Sequence, residues 1–208
     1  MIRKSTRAND TAFIICGALA REVKDIVECH QWAVDLVGIS ANAHMFPEQI
    51  GPAVEKKILD IQADYKRIIV VYGDCGTKGA LDKVLDLYGL ERIQGPHCYE
   101  MYGGLRFSSL MEEEPGTFFL TDFLVRGFEG TVWRGLGLHR FPELKEDYFR
   151  NYRRLVYLSQ TTDSSLQVKA REIAAILDLP LEIIHTGYGP FEERLVELME
   201  RGMPNDFR

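Results

Sequence analysis

The stretch RIIVVYGDCGTKGALDKVLDLYG, Arg67–Gly89, reads as a buried strand, a tight glycine-bearing turn, a helix and a stop. Arg67–Tyr72 is a run of β-branched and apolar residues between polar flanks, the pattern of a strand covered on both faces. A helix is expected over Ala80–Tyr88, and Gly89 suits its C-terminal stop. The same strand–helix alternation extends in both directions. Before it come a strand at Thr11–Cys16, a helix from Leu19 to Cys29, a strand at Ala33–Ile39 and a helix from Pro52 to Ala63. After it come strands at Glu91–Ile93, Thr117–Leu120, Arg154–Leu158 and Leu181–His185, with helices at Gly103–Met111, Asp122–Arg126, Pro142–Tyr152, Leu166–Leu177 and Phe191–Met199. Alternation over most of a chain implies parallel strands joined by helical crossovers. The expectation is a Rossmann-like, doubly wound α/β fold. It has one mainly parallel sheet of five or six strands, helices on both faces and an irregular, site-building insertion at about 95–150. A flexible polar tail over 1–10 would precede a single domain over 11–208.

Composition narrows the function classes. The 208 residues are 46% hydrophobic and 27% charged, with a formal net charge of −6. No basic block or stripe is present, which argues against nucleic acid as a partner. The acidic balance disfavours anionic membranes. Phe13–Ala20 is too short for a membrane span and lacks a signal-peptide cleavage pattern, so a cytoplasmic location is expected. In that compartment the four cysteines would be reduced, leaving thiols, thiolates or metal ligands as their roles.

In open α/β sheets ligands bind beyond the carboxyl ends of the strands. The segments at those ends are CGAL (16–19), SANAH (40–44), YGDCGTKG (72–79), GPHCYE (95–100), TDF (121–123), SQTTD (159–163) and HTGYG (185–189). Three of four cysteines and three of five histidines fall in them. Cys29, late in a helix, reads as core.

The GDCGTKG turn joins a buried strand to a helix, and its glycines permit close backbone approach. The helix N-terminus beyond it would offer free N–H groups to an anion, and would lower the pKa of Cys75. Gly73, Gly76, Thr77 and Lys78 are therefore candidate cofactor-binding residues, although the Walker spacing is absent. In GPHCYE, an extended backbone would place Glu100 on the same side as Cys98 and turn His97 the other way. Cys16, Cys75 and Cys98 could converge as a three-thiolate site for zinc, with iron as the alternative, and His97, Glu100 or Asp74 could complete it or serve as acid and base. Metal-free nucleophilic chemistry at Cys75 with His97 as base is a rival; a non-enzymatic cofactor- or partner-binding module is another. Tyr188 could line the pocket. His139 and Asp163 read as structural, the latter as an N-cap. The aromatic stretch from Glu114 to Gly137 reads as core packing.

Taken in order, CGAL, YGDCGTKG, GPHCYE, PGTFFLTDFL, NYRRLVYLSQ and HTGYG resemble the domain of unknown function 1638 family, from about Phe13 to Glu197. The resemblance implies no settled activity. It implies an association with corrinoid-dependent methyltransferase systems, and hence with a small-molecule substrate and a corrinoid protein or methyltransferase as partner. The chain is shorter than a (β/α)₈ barrel, and it lacks the DxHxxG segment of a cobalt-ligating corrinoid domain. A corrinoid, if involved, would therefore sit on the partner. The combined expectation is a small zinc-dependent enzyme or accessory protein of one-carbon metabolism.

Overall fold

In a computed structural model of the chain, residues 9–201 are described. The strands are β1 (Thr11–Cys16), β2 (Val34–Ile39), β3 (Arg67–Val71), β4 (Glu91–Arg92), β5 (Thr117–Leu120), β6 (Arg154–Ser159) and β7 (Leu181–His185). The helices are α1 (Ala20–Cys29), α2 (Ile50–Ile61), α3 (Ala80–Tyr88), α4 (Cys98–Glu113), α5 (Asp122–Phe128), α6 (Leu144–Phe149), α7 (Ser164–Leu177) and α8 (Pro190–Glu200). Every strand pairing is parallel. The mixed α/β, Rossmann-like class is as expected, but the strands form two sheets, of orders β2-β1-β3-β4 and β5-β6-β7. Two compact units result: one runs up to Cys98 and resumes at Phe191, and the other is Tyr99–Pro190.

In the first unit the central strands are apolar throughout, because parallel strands with helical crossovers are covered on both faces. Phe13, Ile14, Ile69, Val70 and Val71 are buried. The sheet ends at β4, a polar two-residue strand that meets β3 at only two positions. The Arg92 guanidinium is turned back onto Asp82 at 2.6 Å and onto the carbonyls of Ile93 and Gly95, which holds the next segment in a loop. The chain returns to this unit as α8. Arg67 donates to the carbonyls of Leu198 and Met199, and His30 meets Glu192 at 2.9 Å. Of the tail expected over 1–10, residues 1–8 lie outside the described residues. Asn9 and Asp10 are tied down, to Asp35 at 2.8 Å and Lys66 at 2.6 Å.

The segment 95–150 is not an insertion between sheet elements, since it supplies β5 of the second unit. Side chains alternate across the strands. Leu120, Leu155 and Tyr157 pack with Val125, Phe128 and Ile173 of α5 and α7, while Phe119, Val156 and Leu158 pack with Leu110 and Phe107 of α4. The aromatic stretch is core, with Phe118 edge-on to Phe149 and Tyr152. At the carboxyl ends of β5 and β6 the fully buried Asp122 carboxylate accepts from Tyr157 Oη and Thr161 Oγ1, each at 2.6 Å, from the amides of Gln160 and Thr161, and from Arg126. Asp163 N-caps α7 by accepting from the Ser165 amide. Among the described residues no helix is long and apolar enough to cross a membrane.

Candidate functional site

In the first sheet the chain leaves β1 toward β2, then recrosses to β3. The carboxyl ends of β1 and β3 therefore flank the topological switch point, where open α/β sheets bind ligands. β1 ends in Cys16 and β3 leads directly into Tyr72.

Cys16 is buried, and its sulfur accepts from the Ala18 amide at 3.4 Å, which caps the short turn Gly17–Leu19. A Cβ on Gly17 would stand 2.9 Å from the Ile39 carbonyl oxygen and 3.1 Å from the Ala41 nitrogen, so glycine is what lets the turn after β2 close over the end of β1. That turn, Ala41–Met45, delivers His44. Both ring nitrogens of His44 lie 3.9 Å from the Cys16 sulfur, and the ring stacks on Tyr72 at 5.6 Å. Nδ1 is 3.0 Å from the Ala41 carbonyl. A carbonyl only accepts, so Nδ1 carries a proton, and in the neutral ring the lone pair is on Nε2.

Tyr72 is fully buried, and its hydroxyl makes no well-directed hydrogen bond. Its polar company is sulfur: after burial itself, the Cys16 thiol is the main influence raising the phenol's pKa, with Cys75 and Cys98 adding to it. All three loop cysteines thus act electrostatically on one buried phenol. Burial also raises the pKa of Cys16, against the lowering pull of the Ala18 amide and the Tyr72 hydroxyl.

The GDCGTKG turn takes its shape from Asp74. Its carboxylate accepts from Thr77 Oγ1 at 2.6 Å, the Gly79 amide at 2.9 Å and the Lys78 amide at 3.2 Å. Those bonds, the Thr77 hydroxyl first, hold its pKa below the usual carboxylate value. The chain winds through left-handed conformations at Cys75, Gly76, Lys78 and Gly79. The Asp74 and Cys75 amides donate to the carbonyls of Gly95 and Pro96, at 3.2 and 2.7 Å, which seats the GPHC segment against the turn.

Several expectations change. The amides expected to face an external anion are occupied by the chain's own carboxylate, so Asp74, Thr77 and Lys78 build the turn. Gly73 is buried, and Gly76 packs near Pro47. Cys75 is not at a helix N-terminus, because α3 begins only at Ala80. Burial, then Cys16 and Asp74, push its thiol up to about 12 rather than down. This counts against metal-free nucleophilic chemistry at neutral pH. GPHCYE is not extended: α4 starts at Cys98, and two residues of helix turn Glu100 about 200° away from Cys98. His97 and Cys98 are half-buried in the first unit, whereas Glu100 and Tyr188 belong to the second. Cys29 is exposed, not core. Sequence reasoning missed His44 and Tyr72 as site residues. The signal available was their position, in SANAH and at the head of YGDCGTKG, both at strand ends.

Among the described residues no three His, Cys, Asp or Glu side chains stand in a metal-ligating arrangement. The donor chemistry, the buried Cys16 sulfur beside an imidazole and a phenol, suits a thiophilic cation. No curated protein and no solved structure matches the chain. A family profile matches residues 39–195, a narrower span than the resemblance read from the motifs; it includes His44, Tyr72, Cys75 and Cys98 and leaves Cys16 outside. On that match, which covers most of its length, the chain belongs to the family described as "Protein of unknown function (DUF1638)".

Proposed function

We propose that this protein is a metal-dependent enzyme or accessory protein in which Cys16, Cys75 and Cys98 hold a thiophilic cation, zinc before iron, at the switch point of the first sheet. The observation that carries the reading is the Cys16 sulfur against the His44 ring, which stacks on the buried Tyr72, a phenol on which Cys75 and Cys98 also act. Thiols shielded from water and acting on one another electrostatically resist ionisation, and a cation is the partner that makes ionisation favourable. His44 is the nitrogen donor placed to complete the set, since its Nδ1 proton is tied to Ala41 and its ring lies against Cys16. A zinc ion there would supply activation of a substrate thiol by lowering its pKa. The Tyr72 hydroxyl is placed to donate a hydrogen bond to an anionic sulfur, and the packed aromatic pair His44–Tyr72 helps keep water out.

The reaction proposed is methyl transfer to a thiol, in one-carbon metabolism, with the corrinoid carried on a partner protein. Its support is the thiol-rich donor set together with the systems the family resemblance points to. The experiment is elemental analysis of protein purified without added metal, beside Cys75→Ser and Cys98→Ser. Near-stoichiometric zinc that both substitutions remove is the expected result. An unsubstituted protein that stays metal-free after reducing reconstitution would sink the reading.

A further inference from the structure

Beside the turn that carries His44, the first unit has an open groove of about 840 Å³. That is the size of a small-molecule site. Ala43 and Phe46 of the turn and Pro52 and Ala53 of α2 line it, and Phe46 is 53% exposed. Its charged groups are separated along the helix. Glu48 precedes the first turn of α2, and Lys56 and Lys57 come about two turns later, roughly 10 Å along the axis. Lys56 is committed to Asp60 at 3.5 Å, whereas Lys57 has no carboxylate partner among the described residues.

Gly38 says what the groove is for. It sits inside β2, where a glycine weakens a strand and marks a bulge or the close approach of a ligand or another backbone. There is no bulge, because the register with β1 runs unbroken from Thr11↔Val34 to Cys16↔Ile39. Among the described residues no backbone approaches it either, because a Cβ on Gly38 would meet nothing within 4 Å. Its backbone conformation is not left-handed, so the chain does not need glycine for its geometry. That leaves the strand open at Gly38 to a close-approaching occupant of the groove.

We propose that this groove binds a small anionic amphiphile, its apolar body against Gly38 and Phe46 and its carboxylate or phosphate toward Lys57. As the substrate class of the thiol site this rests on the function proposed above; as a binding groove it stands without it. The test uses the full chain and anilinonaphthalene sulfonate as fluorescent probe, displaced by benzoate, phenyl phosphate or benzyl alcohol. The two anions should displace the probe at least about tenfold more strongly than the alcohol, since a charge-assisted contact is worth that much. Their relative strength tells carboxylate from phosphate. Lys57→Met should remove the difference between anions and alcohol. Gly38→Val, which a regular strand accommodates, should weaken probe binding by about tenfold with melting temperature and metal content unchanged. Unchanged probe affinity in Gly38→Val, equal displacement by the alcohol, or a dimer of the chain that Gly38→Val dissolves would overturn the proposal, the last by making the groove a contact between copies. Probe binding that survives in a protein shown to hold no metal would leave the groove standing and remove only the metal.

Discussion

The half-buried Cys75 thiol allows a quantitative prediction about its reactivity. Take metal-free protein under reducing conditions and follow alkylation of each cysteine by iodoacetamide, using mass spectrometry. Burial, then Cys16 and Asp74, raise the Cys75 thiol from its ordinary 9.0 to about 12. At neutral pH that leaves about a thousandfold less thiolate than an ordinary thiol, since each pKa unit is a factor of ten. A more basic thiolate is intrinsically more nucleophilic, with a Brønsted slope of about 0.4–0.5, which returns roughly twentyfold. The net expectation is alkylation about fiftyfold slower than a peptide thiol, before any steric shielding. The rate should climb about tenfold per pH unit through pH 10 with no plateau. Stability moves with it. The folded pKa lies above the unfolded one, so the contribution of the protonated thiol is intact below about pH 9 and is lost as pH rises toward 12. Rapid labelling that saturates near pH 7 would refute this account of the site and revive Cys75 as a free nucleophile.

Three further outcomes are expected. Tyr72→Phe in the metal-free protein should be neutral or stabilising by up to about 1 kcal/mol in urea unfolding, because it removes a buried hydroxyl without a directed partner; a loss larger than that means the hydroxyl is satisfied. Asp122→Ala should cost about 3–5 kcal/mol, because it strands the buried donors of Tyr157, Gln160 and Thr161; a shift under about 1 kcal/mol in the same assay contradicts the network. Gly17→Ala should cost about 1–3 kcal/mol by forcing the Ile39–Ala41 backbone away, and thermal melting would show it; a melting temperature matching the unsubstituted protein would show that the two loops do not meet as closely as described.

Much of the first unit is legible because its code is local. Thr11–Cys16 and Ala80–Tyr88 are found at the boundaries read from apolar runs and from Gly89, which adopts the left-handed helix stop expected of it. The Asp163 cap is equally local. GPHCYE misleads because proline and glycine mark the approach to a helix as readily as an extended loop, and α4 begins one residue after His97. Cys75 misleads because a thiol's pKa depends on what surrounds it, and its strongest influences after burial include Cys16, 59 positions away in sequence.

Hydrophobic periodicity, glycine stops and capping residues act over a few neighbours, so the order and type of elements and the parallel α/β class could be read from residues alone. Strand pairing is a contest between distant segments. The division into β2-β1-β3-β4 and β5-β6-β7, the end of the first sheet at a two-residue β4, and the switch point between β1 and β3 emerge only when the chain is folded. The same holds for the site. The cysteines are visible in the loops, but that Cys16 meets His44, itself stacked on Tyr72, depends on Gly17 letting one loop close on another, and the shape of the Cys75 turn on Asp74 filling it. Those are contacts through space, and no spacing along the chain encodes them.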